Sequence, residues 1–373
     1  MPDLFSPLVL SPQISLAHRV VLAPLTRCRA IGGNVANDLM AEYYAQRATE
    51  GGLLISEGTV INPYGYTGQN IPGIYTDEQE GGWRKVCERV AEERAVFFAQ
   101  LWHCGRSTQS ENMPNGEAPW APSAIQPNVP GRPVPREMPI EVIRSTIGDF
   151  GRAAERARRA GFDGIEIHSA NGYLVDQFLQ NGTNHRNDDY GGSVENRARF
   201  LLETVEACIA GVGGEPGRVG VRLAPWGTFG DISTSDTIPL FTYVLKRLSE
   251  YGLAYVHLVE PRIKGATDRA DADAVSDKSL RVFRNVYQGN FMVAGGFVGD
   301  VNEEGGHAAA KGNEAVATGY ADLISYGRWF IANPDFVMRL QKKLPLSPYN
   351  RATFYTQGKE GYTDYPAYEQ PKI

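Results

Sequence analysis

Eight times along this 373-residue chain a short apolar, β-branched-rich run gives way to a segment of helical periodicity, the pattern that builds a parallel sheet from βαβ units. Eight strands suggest closure into a (β/α)8 TIM barrel. The strands read as residues 19–23, 53–57, 95–101, 164–168, 219–223, 255–259, 291–294 and 323–326. The helices read as 37–49, 77–93, 140–160, 194–209, 237–251, 279–287, 303–318 and 334–342. Capping residues support several of these: Asp77 can open the second helix and Ser193 the fourth, Gly161 and Gly252 follow the third and fifth, and Asn333 with Pro334 opens the eighth. No linker interrupts the alternation, so residues 1–373 are expected to form one domain. The competing architecture, a doubly wound sheet, should show GxGxxG directly after its first strand. The nearest approach, Gly211-Val-Gly213-Gly-Glu-Pro216, ends on proline and precedes a strand.

One connection is irregular. Residues 105–139 are too rich in proline for a helix or sheet interior, and they leave the C-terminal end of the third strand, the face on which such barrels build their sites. A lid or wall over a pocket is expected there.

Unusual polar residues and glycines gather at that same edge. Thr26 follows strand one, Glu57 and Gly58 follow strand two, and Gln100 and Trp102 mark strand three. His168, Asn171 and Tyr173 follow strand four, Arg222 ends strand five, Gly295 and Gly296 follow seven, and Gly327 and Arg328 follow eight. Chance would spread such residues over both ends, whereas a ligand on the barrel axis needs contributions from nearly every strand. A large flat cofactor fits this distribution. Backbones without a Cβ at strands seven and eight can bring N–H groups against phosphate oxygens, with Arg328 supplying charge; taken singly, each is also explained as a tight turn. Arg222 sits in an otherwise apolar strand and needs an anion or a carbonyl partner, either in a structural salt bridge or at the pyrimidine end of a flavin. His168 and Asn171, followed two residues later by the Tyr173 phenol, can hold a substrate oxygen and deliver a proton beside it.

Composition excludes other classes. A net charge of −6 without a Lys/Arg run leaves no footprint for nucleic acid or an anionic membrane. Four scattered cysteines, Cys28, Cys87, Cys104 and Cys208, imply reduced thiols, with no disulfide and no metal site. The N-terminus lacks a leader pattern, no apolar stretch approaches the ~20 residues of a membrane span, and the ending Pro-Lys-Ile is not a peroxisomal address, so a cytoplasmic protein is expected.

These residues resemble the old yellow enzyme family of FMN-dependent ene-reductases, and among them its 12-oxophytodienoate reductase-like members. The likeness is carried by LAPLTR (22–27), YYAQRAT (43–49), PGIYTDEQ (72–79), QLWHCGR (100–106), GFDGIEIHSANGY (161–173) through DDYGGSVENRARF (188–200), and YGRWFIANPD (326–335), with FYT and GYTDYP near the C-terminus. It implies FMN bound non-covalently, its isoalloxazine contacted by Pro24, Thr26, Gly58, Gln100 and Arg222 and its phosphate side by Gly295, Gly296, Gly327 and Arg328. It also implies NADPH as reductant, ping-pong turnover, an enone or nitro substrate held by His168 and Asn171, and Tyr173 as proton donor. Tyr66, Trp102 and Tyr355 are expected to line the substrate pocket. One branch of the family carries cysteine where this chain has Thr26; Cys28, two places later, reads as structural. The loop 261–276 and the proline-rich insert match no member and do not identify the enone, and the family contains both monomers and homodimers. Two other functions stay in view: a flavin-bearing carrier or sensor of phenols or steroids without turnover, and a sugar-phosphate isomerase or aldolase, for which Glu57 is the candidate carboxylate.

Overall fold

Residues 1–261, 263–264, 267–268, 279–297 and 305–369 are described by the computed structural model. Its core is a ring of eight parallel strands: β1 (Val20–Leu22), β2 (Leu53–Ile55), β3 (Val96–Trp102), β4 (Gly164–Ser169), β5 (Val219–Leu223), β6 (Tyr255–Val259), β7 (Phe291–Ala294) and β8 (Leu323–Tyr326). Each pairs with the next in parallel register, and β8 pairs back onto β1, so the barrel is closed. Strands covered on both faces are mostly apolar, which is why these runs stood out in the sequence.

The lower end of the barrel is sealed by an element the sequence reading missed. An antiparallel hairpin, Leu8–Ser11 with Ile14–Leu16, packs Leu10, Ile14 and Leu16 against Val21, Leu53, Ile55, Phe98, Met292 and Leu323. Burying three such side chains contributes roughly 1.5–3 kcal/mol each.

The outer helices are α1 (Asp38–Arg47), α2 (Asp77–Ala91), α3 (Ile140–Ala160), α4 (Val194–Gly211), α5 (Thr237–Ser249), α6 (Arg281–Arg284), α7 (Gly305–Ala317) and α8 (Phe336–Lys342). Two expected starts move. The cap of α2 is Thr76, not Asp77: the Thr76 hydroxyl accepts from the Gln79 N–H while the Gln79 side chain accepts from the Thr76 N–H, a reciprocal box that Asp77 cannot make. The eighth helix begins at Phe336, because Asn333 takes a non-helical backbone and spends its side chain on Trp329 O and Ser347. A separate short helix, Arg328–Ala332, precedes it. Gly161 closes α3 with φ of +104°, and Ser193 caps α4 through the Asn196 N–H, both as expected. No helix among the described residues is long and apolar enough to cross a membrane.

Candidate active site

A cavity of about 510 Å³ opens at the C-terminal ends of the strands. Pro24 and Thr26 after β1, Gly58 after β2, and Gln100 and Trp102 on β3 all line it. So do His168, Asn171 and Tyr173 at β4, Arg222 on β5, Gly295 and Gly296 after β7, and Gly327 and Arg328 after β8. Tyr355 lies on its rim, more than half exposed. Tyr66 is placed elsewhere: it is buried behind Trp102 with Val60 and Ile71, and its hydroxyl donates to Tyr75 Oη at 3.2 Å. The insert 105–139 contributes no lining residue. It buttresses the neighbouring loops instead, with Arg106 donating to Ile125 O, Gly230 O and Asp231 O, and Arg186 to Pro122 O and Met138 O. The segment 261–276 falls largely outside the described residues.

The turn that presents the β4 cluster is fixed from several sides. Asn171 and Gly172 both take positive φ, +57° and +71°, and a Cβ on Gly172 would meet Phe229 O at 2.2 Å, so only glycine fits there. The Gly172 N–H donates to Asp176 Oδ2 at 2.9 Å, while Gly172 O accepts from Ser107 Oγ and Gln177 Nε2, each at 2.7 Å. Out of this turn the Tyr173 ring stands edge-on to His168 at 5.0 Å and to Trp102 at 4.8 Å between centroids. Burial raises the Tyr173 phenol above its ordinary range, so it stays protonated. Burial, then the nearby Arg222 and His257, push the His168 imidazole well below its usual value, so it is neutral and has one N–H to give.

Gly58 has a packing reason the sequence did not disclose: a Cβ there would strike the Trp102 ring at 2.6 Å. Also missed were Lys311, Phe229, Tyr349 and Phe354, all lining residues. Lys311 lies in α7 and Phe229 in the loop after β5, where nothing in local sequence marks them. Phe354 and Tyr355 arrive on the C-terminal segment, which three buried arginines strap to the mouth. Arg27 donates to Phe354 O and Gly361 O at 3.0 and 2.7 Å, Arg29 to Phe354 O, Thr353 O and Glu360 O at 2.9, 3.0 and 3.0 Å, and Arg47 to Tyr362 O at 3.1 Å. Tyr362 stacks on Tyr43 at 4.1 Å, and Arg47 covers the other ring partner, lying 3.8 Å from the Tyr43 centroid.

Glu57 does not reach the cavity. It is fully buried, accepting from the Arg27 N–H at 3.2 Å and from Tyr44 Oη at 3.4 Å, which leaves an isomerase or aldolase without its carboxylate. Burial pushes its pKa up to about 7. Below about pH 4.5 the group is protonated folded or unfolded, and its stability contribution is fully present; it is lost as pH rises through about 7, where burial of the anion costs up to a few kcal/mol. Glu57→Gln should therefore flatten the fall in unfolding free energy between pH 5 and 8 that wild type shows, as measured by denaturant titration at each pH; an equally steep fall in both proteins would overturn this.

The donor set suits a flavin mononucleotide. Arg222 Nε and Ser325 Oγ are buried without a hydrogen-bond partner among the described residues, and both residues line the cavity. Buried polar atoms demand partners, and a ring rich in carbonyls and nitrogens would supply them. After β7, Gly295 and Gly296 take φ of +108° and +81° and line the cavity together with Lys311 and Arg328.

Comparison with known proteins agrees with this geometry. Residues 3–347 match the model of the NADH:flavin oxidoreductase / NADH oxidase family. Among curated proteins, 12-oxophytodienoate reductase 7 of Oryza sativa subsp. japonica is 44% identical, covering 99% of this chain and 95% of the relative. 12-Oxophytodienoate reductase 2 of Arabidopsis thaliana is 40% identical over 96% of this chain and 94% of its own. Among solved structures, morphinone reductase superposes with a TM-score of 0.88 at 37% identity over 98% of this chain and 96% of that one. The old yellow enzyme homologue from Zymomonas mobilis gives 0.88 at 37% over 98% and 100%.

Proposed function

The chain belongs to the NADH:flavin oxidoreductase / NADH oxidase family, and from that premise we propose that it is an NADPH-driven, FMN-dependent ene-reductase that saturates the C=C bond of α,β-unsaturated carbonyl compounds. The observation that carries this is the Tyr173 phenol, protonated and held edge-on between His168 and Trp102 on the wall of a cavity whose strands supply Gln100 and Arg222. Relatives named 12-oxophytodienoate reductase and morphinone reductase, one of the latter in complex with tetrahydroNAD, support both the substrate class and the nicotinamide.

In this reading Pro24, Thr26, Gly58, Gln100 and Arg222 hold the ring of FMN, and Gly295, Gly296, Gly327 and Arg328 hold its phosphate, joined by Lys311. When bound, the flavin accepts a hydride from the nicotinamide and gives one to the β-carbon of the enone. The protein does the rest. The neutral imidazole of His168 and the amide of Asn171 donate to the substrate carbonyl oxygen and stabilise the negative charge that grows there. Tyr173 gives its proton to the α-carbon. Trp102 and Phe229 exclude water beside it, and Tyr355 closes the outer rim.

The purified protein should be yellow, bleach on adding NADPH under anaerobic conditions, and recover its colour on adding cyclohexenone. A colourless protein would count against the whole reading; bleaching with tight phenol binding but no recovery with any enone or nitro compound would favour a carrier. Because Tyr173 is raised and His168 lowered from their ordinary values, the rate of enone reduction should stay flat from about pH 7 to 9 in stopped-flow. A sigmoidal change centred in that interval would remove one of them from its role.

A further inference from the structure

Below the cavity lies a polar group that the reaction as described does not use. Glu166 on β4 is fully buried, one oxygen accepting from Gln100 Nε2 at 2.8 Å and the other paired with His257 Nδ1 at 2.8 Å. Gln100 and Arg222 line the cavity, but Glu166 and His257 do not. The contact reaches from β4 to β6 across β5, where the residue in register with Glu166 is Gly220, which offers no side chain to block it. A carboxylate accepts only, so the Gln100 amide must turn its NH2 to Glu166 and keep its carbonyl oxygen for the cavity. Arg222, the neighbouring buried cation, lies within electrostatic reach of Glu166, and its Nε has no hydrogen-bond partner among the described residues.

We propose that Glu166, braced by His257, is a positioning residue that fixes the Gln100 amide with its carbonyl toward a ring N–H of the cofactor and offsets the charge of Arg222, and so sets the reduction potential of the bound flavin. This rests on the flavin reading above. The recognised group is an imide-type N–H flanked by carbonyl oxygens: the fixed Gln100 oxygen takes the N–H, and Arg222 takes a carbonyl. Glu166 keeps Arg222 from acting as an unopposed cation toward a bound ring that gains negative charge on reduction.

The test compares midpoint potentials of the holoenzymes. Glu166→Gln keeps the shape and removes the charge, so the reduced form should gain roughly tenfold in affinity over the oxidised form, a rise of about 30 mV for a two-electron couple. His257→Asn, which keeps a donor to the carboxylate, should leave the potential at the wild-type value. A Glu166→Gln holoenzyme with an unchanged or lowered potential overturns the proposal, as does an equal rise in His257→Asn. If Glu166→Gln does not fold, wild type loaded with FMN labelled with 15N at N3 decides: the N3 proton should be downfield of free FMN and slow to exchange. Exchange as fast as in free FMN overturns the assigned amide orientation. A wild type that retains no flavin defeats the functional reading instead, which keeps the two failures distinct.

Discussion

Replacing Tyr173 by Phe is expected to leave reduction of the bound flavin by NADPH at its wild-type rate and to slow its reoxidation by an enone ~10²-fold or more, the usual scale for losing a positioned proton donor. The substitution removes one oxygen and keeps the ring that stands edge-on to His168 and Trp102, so the cavity wall and the Gly172 turn survive it. The nicotinamide step moves a hydride and needs no phenol. Stopped-flow absorbance of each half-reaction, measured separately, checks this. Equal slowing of both halves would mean that the phenol shapes the site rather than supplying a proton.

Arg29→Ala should cost about 3 kcal/mol or more in unfolding free energy and release the C-terminal strap. Arg29 is buried and bridges Phe354 O, Thr353 O, Glu360 O and Thr356 Oγ1, with its ring partner Tyr362 at 4.7 Å. Truncation leaves several buried carbonyls without donors, each of which carries its own desolvation penalty. Because the strap brings Phe354 and Tyr355 to the cavity, KM for enones should rise together with the loss of stability. Arg29→Lys should recover only part, since an ammonium lacks the forked geometry that reaches both sides of the segment. Denaturant unfolding and amide exchange over residues 351–362 provide the readout; wild-type protection in Arg29→Ala would show that the strap is held by other means.

The barrel was legible because its signal is local and repeated. Strands 219–223, 255–259, 291–294 and 323–326 have the expected bounds, each being a mainly apolar or β-branched run cut off by glycine, proline or a charged residue. The residues ringing the mouth were legible for a related reason: polar groups at the ends of apolar strands need partners that their apolar neighbours cannot supply, so Gln100, His168 and Arg222 announced themselves. What the sequence concealed depends on contacts distant along the chain. The hairpin 8–16 is a stopper only because the barrel above it has an apolar floor. Glu57 looked catalytic until the fold enclosed it between Tyr44 and Arg27, and Tyr66 looked like a pocket residue until Trp102 covered it. The Asp77 start failed on competition within one turn, since Thr76 with Gln79 satisfies two backbone donors where Asp77 satisfies one.

The stoppered floor has a kinetic consequence. With Leu10, Ile14 and Leu16 filling the far end of the axis, the described residues leave the ring's visitors the doorway at the opposite end. On the proposed function, electron donor and electron acceptor share one seat, so an excess of either should jam the other, each behaving as a competitive inhibitor of its counterpart in steady-state assays.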